Sequence, residues 1–220
     1  MSLENKTGRP LIILGAGGHA KVLLSIIQAA GIPVLGVCAP ELVAQGIELW
    51  RGVPVLSIVD DNLTAFPPND VALINGIGNQ VGRQQLFEKF KAQGYYFPVL
   101  IHPHACIDPT VTLDEGVQVM AGAVIQIDTC IGKNVIINTR ASVDHDCIIE
   151  DHVHIGPGAI LCGHVHAKKG AFIASGAIVI IGIELGEHAI AGAGASIVRN
   201  VEPGQVILPA AVRKYHGDAV

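Results

Sequence analysis

The chain has 220 residues, of which half are hydrophobic and 15% are charged, and its formal net charge is −5. This length allows one or two domains with a substantial core. No basic run indicates nucleic acid as a partner, and no apolar run reaches the ~18 residues of a membrane span. The five cysteines are scattered without a CxxC pair. The N-terminus MSLENKTGRP is polar and unlike a signal peptide, so we expect free thiols in a cytoplasmic protein.

The N-terminal third of the chain begins with the pattern of a βαβ unit. Residues 10–14 are an apolar run, followed by the turn GAGGHA, a stretch with helical spacing that ends at Gly31, and a second strand-like run over residues 33–37. Glycines let a ligand approach the backbone, and the amides at the start of a helix favour an anionic group. The candidate ligand-binding residues here are Gly15, Gly17, Gly18 and His19. The full NAD fingerprint is absent, so we do not expect a nicotinamide cofactor.

A second glycine turn follows a second pair of apolar runs. Residues 53–57 and 71–75 are apolar, and the latter lead into Gly78 and Asn79, then Arg83 and a helical stretch. Both glycine turns should lie at the carboxyl edge of a small parallel sheet, where such sheets bind ligands. Arg83 suits a phosphate, with a solvated helix-face arginine as the alternative. Residues 95–100 resemble a last strand, so we predict a Rossmann-like α/β domain over residues 1–101.

Residues 107–202 repeat every six residues without a break in register. The run contains sixteen hexads, with Ile, Leu or Val at the first position of fourteen and Ala in the other two, and the fifth position is always small or β-branched. Such a period fits short parallel strands that turn a corner every six residues, and a β-sandwich is the less favoured alternative. Gly, Asn and Asp suit corners that need φ > 0. Stacked coils would bury a core that no single hexad could bury alone.

This pattern resembles the left-handed parallel β-helix of hexapeptide-repeat acyltransferases, which implies three hexads per triangular coil and so about five coils for the sixteen hexads, in a β-helix domain over residues 102–220. Together with GAGGHA, the turn GIGN and the junction IHP, it resembles one sugar acetyltransferase family. That family includes sialic acid O-acetyltransferases and the N-acetyltransferases of nucleotide-linked 4-amino sugars, such as the bacillosamine and perosamine enzymes. The resemblance implies that the first domain binds the nucleotide sugar. It further implies that acetyl-CoA lies on the β-helix between subunits of a homotrimer, and that no metal is used.

The densest polar cluster of the repeats, residues 138–147, carries the expected chemistry. His145 occupies an outward third position, and an imidazole can act as a base at cellular pH. By resemblance, His145 removes a proton from the sugar amine, Asp146 orients the imidazole, and Asn138 places the amino group. The resemblance also assigns the oxyanion donor to the backbone of Gly163. The implied acetyl-CoA-binding residues are His154, Gly163, Ser175, Gly176, Gly192, Ala193 and Gly194.

The function predicted is acetyl transfer from acetyl-CoA to the 4-amino group of a nucleotide-linked 4-amino-4,6-dideoxy sugar. Relatives that bind UDP sugars often carry an acidic pair after the second strand, whereas this chain has CAPE at residues 38–41. That difference weakens the assignment of a UDP-linked 4-amino sugar and leaves a GDP-linked sugar such as GDP-perosamine open. O-acetylation of a sialic acid is one alternative. A γ-class carbonic anhydrase-like hydratase is another, with zinc held by histidines from the set His152, His154, His164, His166 and His188. An inert structural module is the third.

Overall fold

The structure, a computed structural model, describes residues 8–56, 63 and 65–209. Ser57, the end of one predicted apolar run, and the C-terminal residues 210–220 lie outside this range. The first part of the chain contains β1 (Leu11–Leu14), α1 (Gly18–Ala29), β2 (Val34–Cys38), α2 (Pro40–Ala44), β3 (Leu49–Trp50), β4 (Val53–Pro54), β5 (Ala72–Asn75) and α3 (Gln80–Ala92). Strands β2, β1 and β5 form a parallel sheet in that order, while β3 and β4 pair antiparallel. The predicted βαβ unit is confirmed. No helix of the described residues is long and apolar enough to cross a bilayer.

The rest of the chain is a parallel β-helix built from two-residue strands. These are β6 (Leu100–Ile101), β7 (Cys106–Ile107), β8 (Thr112–Leu113), β9 (Gln118–Val119), β10 (Val124–Ile125), β11 (Cys130–Ile131), β12 (Ile136–Ile137), β13 (Ser142–Val143), β14 (Ile148–Ile149), β15 (His154–Ile155), β16 (Ile160–Leu161), β17 (His166–Ala167), β18 (Phe172–Ile173), β19 (Ile178–Val179), β20 (Glu184–Leu185), β21 (Ile190–Ala191), β22 (Ser196–Ile197) and β23 (Val206–Ile207). They form a seven-stranded, a six-stranded and a five-stranded face.

Each position of the hexad has the structural role that the sequence predicts. Aliphatic first positions and small fifth positions fill one continuous buried core along the helix axis. Each fully buried aliphatic side chain contributes roughly 1.5–3 kcal/mol of burial free energy. The residue at the fourth position of each hexad, from Gly116 to Gly194, has a positive φ between 54° and 74°. Only half of these corner residues are glycine, so Asp, Asn, Arg and His side chains also hold the left-handed conformation.

The β-helix has about six turns, whereas about five are expected from the sixteen hexads alone. The difference arises because β6 and β23 lie outside the run of hexads and still pair, with β9 and β21 respectively. Residues 95–100, expected as the last strand of the α/β domain, are shared between that domain and the β-helix. Tyr96 bridges Ala72 in the parallel sheet, whereas Leu100 and Ile101 belong to the β-helix. The boundary at residue 101 stays a prediction.

The α/β part packs on the seven-stranded face of the β-helix. Leu100, Met120 and Ile136 project from that face into the same hydrophobic cluster as the buried side of α1. Polar contacts continue the junction, since Gln80 at the start of α3 donates to the backbone carbonyl of Gly170. Lys91 at the other end of α3 forms an ion pair with Glu115 at 2.8 Å. The six-stranded face receives none of these contacts.

Candidate active site

His145 and Asp146 lie at the corner between the six-stranded and five-stranded faces. The Nδ1 atom of His145 is 2.7 Å from the Oδ2 atom of Asp146, and the backbone N–H of His145 donates to Asp144 at 2.9 Å. A carboxylate can only accept, so Nδ1 carries the proton and Nε2 has its lone pair free. The hydrogen bond to Asp146 raises the pKa of His145, and the charges of Asp144 and Asp146 act in the same direction. The aspartate reaches the ring directly in spite of its short side chain.

The imidazole of His145 rests against Gly163, which lies one coil further along the helix axis. A Cβ atom on Gly163 would lie 2.5 Å from Cε1 and 2.6 Å from Nε2 of His145. Only glycine therefore leaves room for the ring in this position. The Gly163 carbonyl accepts from Gly182 at 3.0 Å, and its N–H finds no acceptor in the described part of the chain. A backbone donor free to meet an oxyanion thus lies beside the imidazole.

His164 completes this group, which we call the base corner (His145, Asp146, Gly163 and His164). Its ring meets that of His145 edge-on, with centroids 5.2 Å apart, and its Nε2 atom lies 3.7 Å from Asp146 Oδ2. The sequence patterns suggest His164 only as a zinc ligand of a hydratase and do not predict its proximity to His145. The eighteen-residue coil could have revealed it, since residue 164 stacks directly over residue 146.

The two glycine turns of the α/β domain meet as predicted. A cavity of about 380 Å³ is lined by both turns and by the end of β2: Leu14, Gly15, Ala16, Gly17, Gly18, His19, Cys38, Pro40, Glu41, Gly76, Ile77, Gly78, Leu86 and Phe90. His19 also contacts the β-helix, with its Nε2 atom 2.7 Å from Gln118 Oε1. Burial lowers the pKa of His19, so this histidine is neutral near pH 7.

A second cavity joins the α/β domain to the seven-stranded face. It measures about 310 Å³ and is lined by Gly78, Asn79, Gln80, Val81, His154 and Phe172. The amide nitrogen of Asn138 lies 3.2 Å from His154 Nε2, so the amide donates and His154 carries its proton on Nδ1. Burial lowers the pKa of His154 to about 3, and the positive charge of Arg83 contributes. This histidine therefore acts as a neutral, fixed acceptor. Asn79 caps α3 by accepting from the Gly82 N–H at 2.9 Å.

Arg83 differs from both expectations for it. The side chain is fully buried, and its Nη2 atom donates to the backbone carbonyl of His152 at 2.7 Å. Burial lowers its pKa to about 10. A solvated helix-face arginine is excluded, and a guanidinium without surface exposure is poorly placed for the predicted phosphate contact. Arg83 instead joins α3 to the corner between the five-stranded and seven-stranded faces.

The predicted acetyl-CoA-binding residues do not all lie together. Gly163 belongs to the base corner and His154 to the seven-stranded face, whereas the other five occupy a different corner from His145. Ser175, Gly176, Ala193 and Gly194 are exposed between the seven-stranded and six-stranded faces, where Asn138 also begins a corner. The fifth of them, Gly192, is buried, and a Cβ there would lie 2.8 Å from the carbonyl oxygen of Ile207. Within one chain, the six-stranded face separates this corner from the base corner. A larger groove of about 580 Å³ runs along the five-stranded face, and none of the predicted site residues lines it.

The histidines proposed for a hydratase do not come together. His152 is buried between Glu88 and Asn134, His166 pairs with Glu150 at 2.7 Å, and His154 lies on the seven-stranded face. Within residues 8–56, 63 and 65–209, three metal-ligating side chains converge only at His145, Asp146 and His164. That set contains a single member of the hydratase list.

The fold and the base corner define a class of protein: an acyltransferase with a hexapeptide-repeat β-helix and an N-terminal α/β domain. Residues 10–90 match the family model of the PglD N-terminal domain, and residues 128–163 match that of the bacterial transferase hexapeptide (six repeats). GDP-perosamine N-acetyltransferase of Escherichia coli O157:H7 is 30% identical over 172 residues, 78% of each chain.

Solved structures agree with these matches. PerB from Caulobacter crescentus, in complex with CoA and GDP-perosamine, is 37% identical over 94% of this chain and 95% of its own, with a TM-score of 0.81. The acetyltransferase domain of PglB from Neisseria gonorrhoeae FA1090, in complex with acetyl coenzyme A, is 34% identical over 90% and 95% of the two chains, with a TM-score of 0.79. The chain belongs to this family of hexapeptide-repeat sugar acetyltransferases.

Proposed function

We propose that this protein transfers the acetyl group of acetyl-CoA to the 4-amino group of a nucleotide-linked 4-amino-4,6-dideoxy sugar, with His145 as the general base. The observation that carries the proposal is the base corner itself. An imidazole is held at Nδ1 by a carboxylate 2.7 Å away and rests on a glycine whose N–H is free. The names of two relatives, from E. coli and C. crescentus, point to GDP-perosamine as the kind of acceptor.

The reaction is a direct transfer in this proposal. The neutral amine attacks the thioester carbonyl while His145 Nε2 takes its proton, and Asp146 stabilises the imidazolium that forms. General-base catalysis of this kind is typically worth ~10²–10⁴-fold. The N–H of Gly163 donates to the developing oxyanion. When the tetrahedral intermediate collapses, the C–S bond breaks and the proton on His145 passes to the departing CoA thiolate.

A covalent acetyl-enzyme is not part of the mechanism. Cys147 is the nearest thiol in sequence, and its side chain points into the core of the β-helix. Burial raises the pKa of this thiol to about 11, so the thiolate is scarce at neutral pH. Cys147 also donates to the carbonyl oxygen of Cys162 at 3.3 Å. These features favour a structural residue over a nucleophile.

We infer a homotrimer in which neighbouring chains complete each site. The six-stranded face and the base-corner edge expose aliphatic side chains, including Ile160 (42%), Ile178 (40%) and Ile181 (60%). Burying such a face against a second copy is favourable. It would also bring the base corner of one chain to the Asn138 and Ser175 corner of the next. We expect the protein to act in the cytoplasm, where nucleotide sugars and acetyl-CoA are available.

The nucleotide pocket favours a purine with donor groups. Among the described residues that line the 380 Å³ cavity, Glu41 is the one acidic side chain, and Pro40 lies beside it. A carboxylate accepts hydrogen bonds, and guanine offers N–H donors on its N1 and N2 atoms, whereas the uracil ring has one N–H. The proposed nucleotide is therefore GDP.

The decisive experiment offers acetyl-CoA with UDP-, GDP- and dTDP-linked 4-amino sugars and with free sialic acid, while free thiol release is followed. We expect the GDP-linked amino sugar to give the highest kcat/KM, with an N-acetyl group identified in the product by NMR. Acetylation of sialic acid alone would replace the proposal with O-acetyl transfer. His145→Ala should abolish turnover while sedimentation still reports a trimer.

A further inference from the structure

The base corner contains a set of ligand atoms that the proposed acetyl transfer does not use together. His145, Asp146 and His164 each offer one such atom, and all three lie within 4.8 Å of one another. Asp146 Oδ2 is central, at 2.7 Å from His145 Nδ1 and 3.7 Å from His164 Nε2. Tetrahedral zinc with bonds of about 2.0–2.1 Å places its ligand atoms about 3.3 Å apart. The two distances to Asp146 differ from this separation by about 0.6 Å and about 0.4 Å. The two imidazole nitrogens lie within 4.8 Å of each other, so they must approach by at most about 1.5 Å, a change that the two side chains can share.

The chemistry of these atoms selects among cations. Two imidazole nitrogens and one carboxylate oxygen suit Zn²⁺, whereas Mg²⁺ and Ca²⁺ prefer sites made entirely of oxygen. The three side chains are 41%, 44% and 58% exposed in the order His145, Asp146, His164. In the single chain, an ion can therefore reach them from solvent, and water can supply a fourth ligand. No other group of described residues meets this condition.

We propose that His145, Asp146 and His164 form a Zn²⁺-binding site at the base corner. A bound ion would take up the imidazole that the proposed function assigns to proton removal, so metal binding and acetyl transfer would exclude each other. This consequence rests on the proposed function. The site itself rests only on the three side chains and their distances.

The repeat supplies both a mild substitution and a matched control. His164 and His188 occupy the same hexad position, with φ of 57° and 55°, and Asn134 adopts φ of 54° at that position. Asparagine therefore fits the left-handed corner at both places. His188 lies at the corner between the five-stranded and seven-stranded faces, away from the base corner, and its ring contacts Gly170. His164→Asn should remove one ligand, whereas His188→Asn removes an unrelated surface histidine.

The test is isothermal titration calorimetry of Zn²⁺ into the untagged full-length chain, with thermal melting to verify each fold. We expect one site per chain for the natural protein and for His188→Asn. In His164→Asn we expect affinity to fall at least about tenfold, the range seen when even outer-shell partners of a metal site are lost. No binding to the natural protein, or unchanged affinity in His164→Asn, would overturn the site. Equal losses in both variants would indicate adventitious binding to surface histidines and would overturn it as well. Because the calorimeter reads binding alone, a failure of acetyl transfer would leave this result interpretable.

Discussion

Gly163→Ala is the sharpest test of how the base corner works. The substitution keeps the backbone N–H that we assign to the oxyanion, and the backbone of Gly163 does not have the positive φ of the fourth-position corner residues. The new Cβ would start 2.5 Å from His145 Cε1, and ordinary contact begins at 3.4 Å. The ring must therefore move by about 0.9 Å, since the alternative is a severe steric overlap. A displacement of about 1 Å at a catalytic group can cost ~10²-fold in rate.

We expect kcat to fall about 100-fold, which corresponds to about 2.7 kcal/mol of lost transition-state stabilisation. Steady-state kinetics with acetyl-CoA and the amino-sugar acceptor will measure it, beside a thermal melt that should change little. Ala121→Ser is the control, because it adds one atom at the same hexad position of another corner. If Gly163→Ala retained most of its kcat, or raised only the KM for acetyl-CoA, the ring of His145 would not be the element that Gly163 controls.

Three further changes test the electrostatics and the junction of the two domains. Asp146→Asn replaces the charged acceptor that raises the pKa of His145 with a neutral one. The acidic limb of kcat/KM should therefore move to lower pH while the plateau falls, and NMR titration of the imidazole checks the direction. His154 stays neutral in the fold down to about pH 3 and titrates near 6.5 when unfolded. The unfolded chain therefore binds more protons below pH 6.5, and stability should decline from there towards pH 3; His154→Gln should flatten this decline in chemical unfolding at fixed chain concentration. Arg83→Ala leaves a buried cavity and removes the donor to the backbone carbonyl of His152, which should lower the free energy of unfolding by about 2–4 kcal/mol. Chemical unfolding measures this loss, and the control Arg199→Ala, at an exposed position, should change the free energy of unfolding little.

The repeat could be predicted from the sequence because each hexad carries its own evidence. An aliphatic first position and a small fifth position dictate which side chains face the axis, and sixteen repetitions leave little room for another fold. The ends were less predictable, because β6 and β23 lie outside the sixteen hexads and still pair with strands of the β-helix. Ile101 and Ala105 match the first and fifth positions of one more hexad, whereas β23 is out of register, since Ile207 pairs with Ala191, sixteen residues earlier and not eighteen.

The site also has a part that the sequence predicts and a part that it does not. Gly15 and Gly78 follow parallel strands, and strand polarity alone brings them to one cavity. His145 and Gly163 are one coil apart, so the period predicts that they stack. Arg83 could not be placed, because its burial depends on how α3 meets the β-helix. That junction is a tertiary contact between two domains, and the spacing of residues along the chain does not predict it.

The corners also explain why the β-helix can carry chemistry on its outer wall. A left-handed backbone costs roughly 1–2 kcal/mol per residue with a side chain, and glycine avoids that cost. At half of the fourth positions the chain nevertheless keeps a side chain. Asp146 uses its corner to hold the His145 ring, and His152 uses another to bond Glu88 of the α/β domain at 2.9 Å. At these two corners the strained backbone carries a side chain that orients His145 or joins the domains. Both corners belong to the same stacked β-helix, so one edge of the fold holds His145 while another contacts the α/β domain.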